Sequence, residues 1–137
     1  DEHAARSQSL LLLAAGSERL AIPLTAVERL EELRPTLIER AGQREVVQYR
    51  GEILPVVRLE GAATQSERVP VVICEGQEGR VCLVVDRILD VVESGIGGGS
   101  AGTIVLGERV TTMLDVDALV RQAHAAGGLV STMRTAA

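Results

Sequence analysis

The near absence of aromatic side chains from a strongly apolar chain is the feature that most restricts its fold. Hydrophobic residues make up 46% of the 137 residues, yet there is no Trp, no Phe and a single tyrosine, Tyr49. Aliphatic side chains must therefore fill the core, and they occur in short, nearly continuous runs such as Leu10 to Ala15. Such runs predict strands buried on both faces. Many short strands with few helices predict small β-barrels.

The charge balance excludes several functions. All 14 basic residues are arginine, and against 19 acidic residues they leave a net charge of −5. A net-acidic chain without lysine and almost without aromatic residues lacks the phosphate-neutralising charge and the stacking platforms that nucleic-acid binding requires. No apolar run approaches the roughly 20 residues that cross a bilayer, and no secretion signal is recognisable. We expect a cytoplasmic protein that does not insert into the membrane.

The turn signals divide the chain into elements. Strands are predicted over 9–15, 19–24, 45–50, 53–59, 69–75, 80–86, 88–92, 103–106 and 109–114. Thr25 and Glu28 have the spacing of a capping box, which predicts a short helix, and Thr36 and Glu39 repeat the signal weakly. Residues 115–126 predict an amphipathic helix with an acidic first turn. The stretch SGIGGGSAG (94–102) has the composition of a flexible connection, either native or a replacement for a longer loop.

No catalytic residue, metal site or cofactor is predicted. His3 and His124 have no nucleophile partner, Gly97 to Ser100 lacks the lysine of a phosphate loop, and Asp115 to Asp117 is better explained as a helix cap than as a calcium loop. Two cysteines without a nearby histidine are too few for zinc.

Cys74 and Cys82 flank a predicted turn. With an even-numbered loop Cys74 faces Val81 and Cys82 faces Ile73, so the thiols point to opposite sheet faces, whereas an odd loop brings them opposite each other. For a cytoplasmic chain we favour two buried free thiols over a disulfide.

The segment Tyr49-Arg50-Gly51-Glu52 is the most informative for function. A glycine that permits a sharp bend follows an arginine and the sole tyrosine, and both of these residue types are enriched in interface hot spots. The alternative is an ordinary core tyrosine beside a solvated arginine.

Four segments together resemble the CheW-like domain of bacterial chemotaxis. They occur in the family's order: LAIPLTAVERLEE (20–32), VVQYRGEILPVVRL (46–59), GRVCLVVDRILDVVE (79–93) and GERVTTMLDVDALV (107–120). The resemblance implies a mostly β fold of two packed SH3-like five-stranded barrels, with short helices and a C-terminal helix. The corresponding division is a leader (1–9), one domain (10–126) with subdomains at about 19–59 and 69–116 and a helix at 115–126, and a tail (127–137).

The resemblance also implies a function. CheW-like domains couple chemoreceptors to the histidine kinase, so the expected role is a non-catalytic docking and regulatory domain of a CheA-type kinase. The expected partners are CheW- or CheA-type domains and the cytoplasmic tips of receptors, within membrane receptor arrays. Two alternatives stay open, namely a free CheW adaptor and, more distantly, a small β-barrel ligand-binding protein or enzyme.

The family pattern places the partner-binding residues in three segments. Arg50 and Gly51 match the family's arginine–glycine pair near the receptor-contacting groove, and Val27 matches a receptor-side position. Many adaptors have Glu where this chain has Arg29, and the connection at 94–102 is shorter than usual, which puts receptor specificity and part of the second barrel's contact surface in question. The expected site residues are Val27, Arg29, Tyr49, Arg50, Gly51, Glu52 and, as a second edge, Val85, Asp86 and Arg87.

Overall fold

The computed structural model describes residues 8–59, 67–94, 102–106 and 109–125. Most of the predicted leader, residues 95–101 of the glycine-rich connection and the predicted tail lie outside these ranges.

Eleven strands, two 3₁₀ turns and one helix account for most of the described residues. The strands are β1 (Gln8–Ala15), β2 (Glu18–Pro23), β3 (Val27–Leu33), β4 (Ile38–Ala41), β5 (Arg44–Tyr49), β6 (Glu52–Arg58), β7 (Val69–Gly76), β8 (Gly79–Val84), β9 (Arg87–Ser94), β10 (Gly102–Leu106) and β11 (Arg109–Met113). The 3₁₀ turns are Leu24–Ala26 and Pro35–Leu37, and the helix, α1, is Val116–Ala125.

Two packed sheets form the body of the protein, which confirms the predicted mostly β class. One sheet has the order β10-β11-β2-β1-β9 and the other β3-β7-β8-β6-β5-β4. The two sheets do not follow the order of the chain. The middle of the chain forms the six-stranded sheet, while both ends join in the five-stranded one, because β9 pairs with β1 and β11 pairs in parallel with β2.

Strand β1 is buried on both faces, as its unbroken aliphatic sequence predicts. Leu11 and Leu13 belong to a core shared with β2, β7, β8 and α1. Leu10 and Leu12 point to the opposite face, where they contact Ala21 and Met113 in a second cluster. A third cluster, built by β5 to β8, fills the interior of the six-stranded sheet. Three thin aliphatic cores explain why the chain folds almost without aromatic rings.

The β7–β8 hairpin separates the two cysteines. Cys74 pairs with Val81 and Cys82 with Ile73, as predicted for an even-numbered loop. The thiol of Cys74 therefore lies in the core shared with α1, and that of Cys82 lies in the interior of the six-stranded sheet. Both are free and buried, and burial raises the pKa of each thiol to about 12.

The helices predicted after Thr25 and Thr36 are wrong. A 3₁₀ turn over Leu24–Ala26 has no side-chain cap, and the chain then enters β3. The second signal likewise gives the 3₁₀ turn Pro35–Leu37 followed by β4. Residues 27–33 pair with β7 instead of forming a helix. The capping signal is followed by too short a segment to offset the cost of nucleating a helix.

Helix α1 packs on the β7–β8 hairpin at its predicted position. The Ala118 N–H donates to Asp115 Oδ1 at 3.1 Å, so Asp115 is the helix cap that its position indicates. Asp117 Oδ1 accepts from the Gln77 N–H at 2.9 Å and ties the start of the helix to the hairpin turn.

Candidate protein-docking surface

The turn between β5 and β6, here called the Arg50 turn (Tyr49–Glu52), places the side chain of Arg50 on the surface. Tyr49 pairs with Glu52, and the two residues between them both have positive φ, 52° at Arg50 and 83° at Gly51. Positive φ at both central positions defines a type I′ hairpin turn. Glycine adopts this conformation freely, whereas a side chain in the left-handed region costs roughly 1–2 kcal/mol. Arg50 is the single non-glycine residue in that region among those the structure describes.

The side chain of Arg50 is held by an aromatic ring and by no carboxylate. Its guanidinium carbon lies 5.6 Å from the centroid of the Tyr49 ring, within the range of a cation–π contact. Within the described part of the chain, none of the ion pairs includes Arg50. The turn therefore exposes a cation that has no ion-pair partner among the residues the structure describes.

Tyr49 joins the Arg50 turn to β3. Only 8% of the residue is exposed, and its ring packs in the interior cluster of the six-stranded sheet. The phenol O–H donates to Glu31 Oε2 at 2.8 Å. Burial, and secondly this hydrogen bond to a carboxylate, raises the pKa of the Tyr49 phenol. Since β3 and β5 are not neighbours in the sheet, this hydrogen bond is a direct side-chain link between β3 and the Arg50 turn.

Strand β3 supplies the other predicted residues of this half of the surface. Val27 is half-buried and packs against the core shared with α1. The register shifts between Val27 and Arg29, so the intervening Glu28 is the extra residue of a β-bulge. Arg29 is exposed and contacts the Glu31 carboxylate at 3.4 Å.

A groove separates β3 from the start of β9. It has a volume of about 780 Å³. Its lining combines apolar, acidic and basic side chains: Leu30, Glu31, Glu32, Arg68, Pro70, Asp86, Arg87 and Ile88. Glu31 lines the groove and also accepts the Tyr49 hydrogen bond, so one side chain links the groove to the Arg50 turn.

Two residues of the predicted second edge, Asp86 and Arg87, line the groove, whereas the third, Val85, is buried. Arg87 is exposed, and Asp86 accepts a hydrogen bond from the Gly16 N–H at 2.5 Å. Val85 is fully buried, and its N–H donates to the Pro70 carbonyl. The Val85 side chain therefore belongs to the core and presents nothing to a partner.

Sequence reasoning missed one residue of this surface. The Arg80 guanidinium pairs with Glu52 Oε1 at 2.9 Å and with Glu28 Oε1 at 3.0 Å. Its position after the hairpin glycine, Gly79, gave no sign of this role, since the partners lie 28 and 52 residues earlier in the chain.

No enzyme-like constellation is present among the described residues. They contain no group of three or more His, Cys, Asp or Glu side chains placed to hold a metal ion. Nor does any helix in the described ranges have the length and apolarity to span a membrane. The chemistry of this surface is that of protein–protein contact: an exposed arginine in a strained turn, a mixed-charge groove and scattered exposed aliphatic side chains.

Comparison with known proteins agrees with this assignment. The CheW-like domain family matches residues 9–124. The chemotaxis protein CheA of Salmonella typhimurium is 33% identical over 133 residues, an alignment that covers 81% of this chain and 20% of the relative. The chain thus spans about a fifth of the length of the curated relative it matches.

A solved structure shares the fold. The crystal structure of the scaffolding protein TtCheW from Thermoanaerobacter tengcongensis superposes with a TM-score of 0.62 at 17% identity. The similarity covers 80% of this chain and 84% of that one.

Proposed function

The chain belongs to the CheW-like domain family, the non-catalytic adaptor and scaffold domains of chemotaxis signalling, and from this premise we propose that it is the docking and regulatory domain of a CheA-type histidine kinase. The similarity to CheA from Salmonella supports the kinase over the free adaptor. The proposed partners are a CheW-type adaptor and the cytoplasmic tip of a chemoreceptor, which places the domain in receptor arrays at the membrane.

The observation that carries the proposal is the state of Arg50. A backbone conformation that is unfavourable for arginine holds this side chain on the surface, and no carboxylate of the described chain neutralises it. A fold tolerates such a cost at positions that serve binding. Arg50 and the adjoining groove are therefore the proposed contact for the partner.

A substitution at Arg50 separates binding from stability. Asn accepts the left-handed conformation, and Asn-Gly is a favoured pair in type I′ turns. Arg50→Asn should therefore leave the free energy of unfolding unchanged or slightly higher, while it removes the cation. Isothermal titration against a CheW-type adaptor and a receptor-tip fragment should give at least tenfold weaker binding to one of them, as expected for a hot-spot residue.

Arg40→Asn is the matched control. Arg40 is exposed and pairs in register with Glu45, at the far end of β5 from the Arg50 turn. Glu45 and Tyr49 are four positions apart in the strand, a distance of about 13 Å. If Arg50→Asn binds both partners as tightly as the wild type, the site assignment fails. The parent reading frame decides between kinase and adaptor, because a kinase requires an ATP-binding domain in the same frame.

A further inference from the structure

Arg80 makes an unusual pair of contacts beneath the Arg50 turn. Its Nε pairs with Glu28 Oε1 at 3.0 Å and its Nη1 with Glu52 Oε1 at 2.9 Å. The planar guanidinium carries several donors in a fixed geometry, so one arginine can hold two carboxylates, which a lysine ammonium cannot do in the same arrangement. One carboxylate belongs to β3 and the other to the Arg50 turn.

The backbone of Arg80 is itself fixed by α1. The Arg80 carbonyl oxygen lies 2.7 Å from His124 Nε2. The preceding residue, Gly79, has φ +140°, and a Cβ there would lie 2.8 Å from the same imidazole nitrogen. On the other side of the hairpin, the Gln77 N–H is held by Asp117. The helix therefore holds the hairpin on both sides of its turn, an arrangement called here the helix clamp, and this fixes the backbone from which the Arg80 side chain extends.

The bulge in β3 accounts for the position of the second carboxylate. Cys74 pairs with Val27 and Ile73 with Arg29, so Glu28 takes no place in the ladder. A bulge redirects the side chain of its extra residue, and Glu28 is directed to Arg80. Three separate local features, the helix clamp, the bulge and the type I′ turn, thus meet at one guanidinium.

We propose that Arg80 is a positioning residue for partner binding: by bridging Glu28 and Glu52 it fixes the Arg50 turn against β3, so that Arg50 and the groove form one rigid surface. The inference rests on the proposed function and adds a residue that makes no contact with the partner itself. Rigidity matters here because any flexibility of the turn must be lost on binding.

The first test measures the turn in the free protein. Arg80→Ala should speed amide hydrogen exchange at Tyr49 and Glu52 by about threefold to tenfold, the range for losing two exposed ion pairs. Amides of the remote β1–β9 ladder should exchange at the wild-type rate. Unchanged exchange at the turn overturns the proposal. This readout needs no partner, so it stands even if the proposed function fails because the wild type binds neither partner.

The second test distinguishes bridging from net charge. Arg80→Ala removes a positive charge and Glu28→Gln removes a negative one, yet each breaks the bridge. If Arg80 positions the turn, both variants weaken binding of the same partner, Glu28→Gln by about twofold to fivefold for one exposed pair. If the two variants shift affinity in opposite directions, charge alone explains the effect and the proposal is overturned. Arg80→Lys keeps the charge and should still loosen the turn; this variant serves as the test if Arg80→Ala does not fold.

Discussion

The hydrogen bond from Tyr49 to Glu31 gives the sharpest stability prediction. Tyr49→Phe removes only the phenol oxygen and keeps the ring in the interior of the six-stranded sheet. A hydrogen bond to a charged group contributes about 1.5–3 kcal/mol. Glu31 is 30% exposed at its side chain and keeps its contact with Arg29, so the lower part of that range applies. We expect the variant to lose about 1–2 kcal/mol of unfolding free energy at pH 7.

This contribution should disappear at high pH, and the sign follows from the direction of the pKa shift. The pKa of Tyr49 is raised in the folded state, by burial first and by Glu31 second. The folded protein therefore holds the phenol proton more tightly than the unfolded chain does. The stabilisation is complete below about pH 10, the ordinary tyrosine value, and is lost as the pH rises through the folded pKa.

The composition makes the measurement unusually clean. The chain has no lysine, no tryptophan and no second tyrosine, so absorbance at 295 nm reports the ionisation of Tyr49 alone. The two thiols also titrate at high pH, since burial raises their pKa values to about 12, but they do so in both proteins. The difference in urea unfolding between wild type and Tyr49→Phe, followed by circular dichroism from pH 7 to 11, therefore isolates the phenol. A difference below about 0.3 kcal/mol at pH 7, or one that does not shrink above pH 10, would refute the reasoning.

Three further predictions concern the scaffold. The Glu45–Arg58 pair is bidentate, at 2.8 and 3.1 Å, and mostly buried; Glu45→Gln should cost about 1–3 kcal/mol in urea unfolding, and a double-mutant cycle with Arg58→Met that shows no coupling would contradict this. Gly51→Ala should cost about 1 kcal/mol because of its positive φ, and an unchanged melting temperature would argue against the type I′ turn. Cys74 and Cys82 should resist Ellman's reagent at pH 8 in the native state and both react in 8 M urea; rapid reaction of either native thiol would disprove its burial.

The core strands could be predicted well from the sequence because a run of consecutive aliphatic residues is enough to indicate a buried strand. An aliphatic run such as Leu10 to Ala15 cannot be a surface loop, and its residues alternate between two cores in the structure. The parity of the loop at Gly76 to Gly79 stayed open in the sequence, and the strand register in the structure decides for the even-numbered loop. The prediction of the core strands depends on neighbours in the chain alone.

The failures share one cause, which is pairing over a long sequence distance. Thr25 and Glu28 carry a local helix signal. The segment from Val27 onward is nevertheless a strand, β3, because it pairs with β7, more than 40 residues later in the chain. Arg80 is the same case at the site, because its two ion-pair partners come from strands that no local pattern connects to it.

Hydrogen exchange of the domain with and without its partners tests the central claim most directly. The proposed docking surface comprises β3, the Arg50 turn and the groove that reaches Arg87. On saturation with a CheW-type adaptor or a receptor-tip fragment, protection should increase at residues 27–33 and 49–52, with residues 38–41 of β4 as the internal control. Protection confined to β4, or to the helix α1, would contradict this location of the docking surface.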